Sequence, residues 1–284
     1  MELTIAEQIM YSTLQIVTFD SAFRASQMAS GFIMHFCENK EAETSVPALV
    51  TNRHVLEGAN LIQVFFTAAT PDGKPDNSKT IPAYISISNA IPHPNSDIDL
   101  AIIPILPVVA TLKKQGNNVF YIGLSTDFIP TPEEWKNLDA IEEVIMVGYP
   151  KGLRDTANNL PIFRRGITAT HPAYDYKGSP DFLIDMACYP GSSGSPVFIL
   201  NEGQHYDKRN RKLNLGTGRF MFLGIQRAVP NLSQFGDLIT IPSEETVTIP
   251  RMQSFINLGI IVKSTQLEIF DSIIKIKIGT QSSR

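Results

Sequence analysis

The chain has 284 residues, 43% of them hydrophobic and 18% charged, with 24 Lys and Arg against 28 Asp and Glu. A chain of this length removes about 75% of its unfolded surface from water on folding, which excludes disorder as its main state. The formal charge of −4 gives no long-range attraction for a phosphate backbone, and no apolar run approaches the roughly 20 residues of a bilayer crossing, so neither nucleic acid nor membrane is an expected partner.

The opening residues Met1 to Glu7 carry acids where an export signal needs a basic start and a long apolar stretch. Cys37 and Cys188 are the only cysteines, without the dense spacing of a disulfide-stapled secreted domain or a C-x-x-C metal pair. The expectation is a cytoplasmic protein with two free thiols, no bound metal and no cofactor.

In chain order, Thr4-x-x-Glu7 reads as a capping box for a helix ending near Ser12, and Leu14 to Phe19 then alternates like a strand. Short apolar or alternating runs follow at 31–36, 47–51, 61–66, 81–88 and 100–105. Others lie at 144–147, 166–170, 182–186, 196–200, 220–225 and 258–262. Turn-rich clusters such as Pro71 to Ser78 separate them, and so many short strands predict an all-β chain built as a pair of barrels or sandwiches. Helix is expected mainly at the two ends. Thr265-x-x-Glu268 marks a C-terminal helix over about 265–275, packed outside the second β unit, with residues 279–284 frayed. The crossing between halves falls within 106–123, giving units 1–115 and 116–284, and 125–138 reads as a surface excursion. The basic run Asp207 to Lys212 reads as a solvated hairpin tip.

The stretch Gly191-Ser192-Ser193-Gly194-Ser195-Pro196 is the most informative. Glycines on both sides let the backbone bend enough to present one hydroxyl and aim neighbouring amides at one point, as an acyl-transfer nucleophile requires. Only Ser193 has a glycine two before and one after, which separates it from Ser192 and Ser195. A serine hydroxyl is a weak nucleophile at neutral pH and needs a base and a group to orient that base. His54 stands where the apolar run Leu49 to Thr51 ends, and Asp99 at the mouth of the run Leu100 to Ile103. Asp97 is the competing acid, but register against the apolar run favours Asp99. His35, His93, His171 and His205 have no such setting and read as loop or strand-surface residues.

Together these segments resemble the chymotrypsin-like (trypsin-fold) serine peptidases, and most of all the bacterial V8-type glutamyl endopeptidases and HtrA-like peptidases. Thr51-Asn52-Arg53-His54-Val55 is similar to their histidine segment, Asp99-Leu100-Ala101-Ile102 to their aspartate strand, and Gly148-Tyr149-Pro150 to a motif early in the second barrel. Gly191 to Phe198 is similar to their nucleophile motif, and Leu223-Gly224-Ile225 to the strand that pairs with bound substrate. The resemblance covers about residues 28 to 262. It implies two six-stranded antiparallel β-barrels with a cleft between them, His54 and Asp99 from the first and Ser193 from the second.

It further implies a serine endopeptidase acting on protein or peptide substrates, intracellular on the reading of its N-terminus and cysteines, with an oxyanion hole made by the backbone amides of Gly191 and Ser193. The specificity pocket is expected between Ala187, Cys188 and Tyr189 on one wall and Gly224, Gln226 and Arg227 on the other. Gln226 stands where V8-type enzymes carry a glutamate-reading histidine, so a small or apolar preference is expected, with Arg227 able to admit an acid if it turns inward. No activation-cleavage motif such as Ile-Val-Gly-Gly is present, so the oxyanion loop is ordered from the start or by an activating protein partner. A regulated effector, in stress or anti-phage defence, is the expected role; the alternative is a non-catalytic binding module on a protease scaffold.

Overall fold

The computed structural model describes residues 2–207, 211–216, 218–228, 231–233, 253–255 and 257–282. Helix α1 (Ile5–Ser12) opens with the expected capping box: the Thr4 hydroxyl accepts the Glu7 N–H, and the Glu7 carboxylate accepts the Thr4 N–H. Then come β1 (Thr13–Phe19), β2 (Ala25–Asn39), β3 (Thr44–Thr51), the single turn α2 (Arg53–Leu56), β4 (Leu61–Ala69), β5 (Pro75–Ser86), β6 (Ile91–Pro92) and β7 (Ala101–Pro104). Helix α3 (Leu106–Lys114) leads to β8 (Val119–Phe120), which pairs with β4, so the first sheet reaches past residue 115. Its strand order is β5-β4-β1-β2-β3-β7-β6.

After α4 (Pro132–Asn137), a second β unit contains β9 (Glu143–Gly148), β10 (Ile162–Thr168), β11 (Asp181–Asp185) and β12 (Pro196–Asn201). Two small two-stranded sheets follow, β13 (Gln204–Asp207) with β14 (Lys212–Leu215), then β16 (Asn231–Ser233) with β17 (Gln253–Phe255); β15 (Arg219–Ala228) lies between them in the chain. With β18 (Leu258–Lys263), β15 completes a closed six-stranded barrel in the order β10-β11-β18-β15-β12-β9. The basic run expected at a hairpin tip falls largely at 208–210, outside the described residues.

The second unit is therefore the expected six-stranded barrel, but the first is not a closed six-stranded barrel among the described residues. It is an eight-stranded sheet whose end strands, β5 and β6, meet through a 3-10 turn at Ile87–Asn89 instead of a ladder. The two-residue β6 ends on Pro92, which has no N–H to donate.

Helix is also less confined to the ends than expected. α4 carries a capping box between Thr131 and Glu134 with Pro132 in its first turn, the same signature that marks α1. At the C-terminus, Ser264–Leu267 forms a 3-10 turn, and α5 runs Ile269–Ser282, later and longer than the expected span. It packs on β2 of the first sheet, not outside the barrel: the Cys37 N–H donates to Asp271 Oδ1 at 2.7 Å, and Phe270 meets Phe36 edge to face at 6.1 Å.

Strand β2 organises the core, because its residues alternate between two hydrophobic clusters. Ile33 joins Ile16, Leu49, Val64 and Phe66 inside the first sheet. Phe32, Met34 and Phe36 point the other way and pack with Phe198, Phe222 and Ile225 of the barrel; the Phe32 and Phe222 rings lie 5.2 Å apart, edge to face. Burying each such side chain contributes about 1.5–3 kcal/mol, so the seam between the two units is itself core. Phe270 is fully buried in that seam. Phe270→Ala should cost about 3–5 kcal/mol in denaturant unfolding monitored by tryptophan fluorescence, because the cavity opens where α5, β2 and His93 meet.

Candidate active site

Pairing of β3 with β7 sets Thr51 opposite Ala101, which brings the residue that follows one strand beside the residue that precedes the other. Asn52 is extended at φ −76°, ψ 149°, and the chain then makes the one turn of α2 that carries His54. Asn52 Nδ2 donates to the Asp99 carbonyl at 2.8 Å. The Asp99 carboxylate holds His54 twice: Oδ1 accepts the His54 backbone N–H at 2.9 Å, and Oδ2 lies 2.6 Å from ring Nδ1. This double hold sets Nδ1 as the donor and leaves Nε2 as the free ring nitrogen. Asp97 is exposed and its N–H caps a turn on Asn95, so it takes no part.

Ser193 lies in the loop between β11 and β12. Gly191 and Gly194 have φ of +89° and +84°, conformations that L side chains rarely adopt, and a Cβ at Gly194 would stand 1.9 Å from the Ser30 carbonyl. Ser192 and Ser195 are fully buried while Ser193 is partly exposed, which leaves Ser193 the accessible hydroxyl of the three. The loop is held from both units. The Ser30 N–H donates to the Ser193 carbonyl at 2.8 Å, and the Ser30 hydroxyl donates to the Gly191 carbonyl at 3.0 Å while accepting the Tyr149 N–H at 2.9 Å. The Gly194 N–H donates to the Gln226 carbonyl at 2.8 Å, tying the turn to β15.

His54, Gly191 and Ser193 open onto one cavity of about 360 Å³, together with Met28, Val55 and Lys151. No hydrogen bond joins the Ser193 hydroxyl to the His54 ring among the described residues; such bonds commonly tighten only when substrate binds. Met28 and Lys151 carry no signal in the sequence beyond their neighbours, since Lys151 merely follows the Gly148-Tyr149-Pro150 motif. Ser30 carries none at all.

The residues expected to form the specificity pocket do not line this cavity. Ala187 is exposed, with its carbonyl accepting from Arg164. Cys188 is buried in the barrel core, and burial pushes its thiol up to about 11. The Tyr189 ring lies under the Lys151 ammonium, 5.2 Å from centroid to nitrogen. Gly224 is laddered on both sides, to Val197 and Lys263, so it offers no free edge to a substrate strand. A Cβ there would meet the Val262 carbonyl at 2.1 Å, which is what requires the glycine. Gln226 is buried, with Oε1 unpartnered among the described residues. Arg227 pairs with Asp181 at 2.8 Å; burial raises the Asp181 carboxyl despite that partner.

Among the described residues no three His, Cys, Asp or Glu side chains converge as a metal site, and no helix is long and apolar enough to cross a membrane. No curated protein sequence matches the chain. Similar solved structures include the Rv3671c protease from M. tuberculosis in its active form, at 13% identity over 91% of this chain and 78% of that one, with a TM-score of 0.41. Deg5 shares 13% identity over 95% and 99% of the two chains, with a TM-score of 0.43. The thermostable serine protease AL20 from an extremophilic microorganism shares 11% over 92% and 97%, with a TM-score of 0.48. The model of the trypsin-like peptidase domain matches residues 29–205, more than half of the sequence. The chain therefore belongs to the trypsin-like peptidase family, a family of serine endopeptidases.

Proposed function

We propose that the chain hydrolyses peptide bonds through His54, Asp99 and Ser193 by way of an acyl-enzyme. His54 Nε2 takes the proton of Ser193 as the oxygen attacks the scissile carbonyl, then passes it to the nitrogen of the departing amine as the C–N bond breaks. Water, deprotonated by the same ring, releases the acyl group, and Asp99 holds the tautomer and stabilises the imidazolium without taking the proton. The observation that carries this reading is the double hold of Asp99 on His54 beside a cavity that His54 shares with Gly191 and Ser193.

The proposed oxyanion donors are the Gly191 and Ser193 N–H groups, each worth about 3–4 kcal/mol to a tetrahedral intermediate. The Pro190 carbonyl is taken by the Lys151 N–H at 2.7 Å. In a planar trans peptide this turns the Gly191 N–H to the opposite side, and the Ser30 bonds hold the next residues in place. Of the two alternatives left open by the sequence, a loop ordered from the start or one ordered by an activating partner, these contacts support the first and activity of the chain alone. Two free cysteines support an intracellular site of action.

A fluorophosphonate probe should label the protein and fail to label Ser193→Ala; equal labelling of both would leave the binding-module reading in its place. Asp99→Asn, which keeps the shape but presents the wrong hydrogen-bonding pattern to Nδ1, should lower kcat on a fluorogenic peptide about ten-thousandfold. Because burial keeps Cys188 protonated far above neutrality, iodoacetamide at pH 7.5 should leave the labelling rate unchanged, as scored by mass spectrometry of both thiols.

A further inference from the structure

Arg164 is a half-buried cation with no counter-ion among the described residues. It projects from β10 beneath the loop that ends at Ser193, and one nitrogen, Nη1, donates both to the Ala187 carbonyl at 2.9 Å and to the Ser192 hydroxyl at 2.7 Å. Its Nε and Nη2 are buried and have no hydrogen-bond partner among the described residues. No carboxylate pairs with it there; the ionisable groups that face it are the Cys188 thiol and the Tyr189 phenol, and burial keeps the Cys188 thiol neutral. Enclosing a guanidinium without an opposite charge is costly, and it persists only where the surrounding dipoles hold it and it holds them. The dipoles in question are the two ends of one loop: Ala187 opens the segment that rises to the nucleophile, and Ser192 directly precedes it.

We propose that Arg164 is the positioning residue that orders the 187–193 loop, so that the Gly191 and Ser193 amides are aimed before any substrate arrives. The inference rests on the peptidase reading above. A charge-assisted donor at each end of the loop is stronger than the neutral bonds made by Ser30 and Lys151 between them. Because that donor belongs to a barrel strand, the loop is braced by the chain's own interior, and no newly cut N-terminus is required. Nε and Nη2 are closed to solvent, so a substrate side chain does not reach them while the loop is closed; this favours a brace over a direct reader of acidic substrates.

The test measures fluorophosphonate labelling rates, and kcat and KM on peptides with Ala, Gln or Glu before the cut, for wild type, Arg164→Ala and Ser192→Ala. Arg164→Ala should lose at least about tenfold in labelling rate and in kcat, alike for all three peptides and with KM little changed. Millimolar guanidinium should restore the rate saturably where sodium ion and urea do not. Ser192→Ala, a small change in a buried site that keeps the protein folded if Arg164→Ala does not, should show a smaller loss in kcat of the same kind. Wild-type rates in both variants, a loss confined to the Glu peptide, or no rescue of a folded Arg164→Ala would each overturn the brace. Absence of labelling in the wild type would instead overturn the peptidase reading on which it rests.

Discussion

The seam between the two β units is the constraint on which the rest of the molecule depends. One strand, β2, sends Phe32, Met34 and Phe36 into the barrel side and Ile33 into its own sheet, so the position of one unit on the other is set by a strand whose register a one-residue slip would invert. Ser30 stands at the start of that apolar run. Its N–H and hydroxyl reach across to the Ser193 and Gly191 carbonyls, so the packing that joins the units also places the nucleophile loop.

Within the first unit, His54 is positioned by a short-range device. The pairing of β3 with β7 makes Asn52 and His54 neighbours of Asp99, and three hydrogen bonds from these two residues to Asp99 finish the job. His54 is thus held in backbone and ring by the same carboxylate, and the residue lines the cavity. Asp99 and His54 answer to one sheet; the Ser193 hydroxyl answers to the other unit, and only the seam relates them.

The loop carrying Ser193 shows why a buried polar network is worth its desolvation here. Gly191 and Gly194 supply left-handed turns, but conformational freedom alone would leave the amides unaimed. The bonds from Lys151, Ser30, Arg164 and Gln226 remove that freedom, each from a different part of the fold. The wall residues expected from the motif serve the barrel first: Cys188 is core, Gly224 is laddered on both faces, and Arg227 neutralises Asp181.

By itself the sequence determined what depends on near neighbours. The alternating runs announced the strands, the Thr4 and Glu7 pair announced α1, and glycine spacing singled out Ser193 from Ser192 and Ser195. Histidine and aspartate at the ends of apolar runs marked His54 and Asp99 as the pair that the structure holds together, because a strand end is a local event with a local signature. The tertiary structure alone decided what depends on distant segments: that the first sheet turns a corner without closing its ladder, that α5 docks on β2 through Phe270 and Asp271, and that Ser30, Lys151 and Arg164 converge on one loop. No pattern along the chain marks such residues, since a serine, a lysine and an arginine acquire these roles only when separate segments are brought within hydrogen-bonding distance, across 161 residues from Ser30 to Gly191 and across 28 from Arg164 to Ser192.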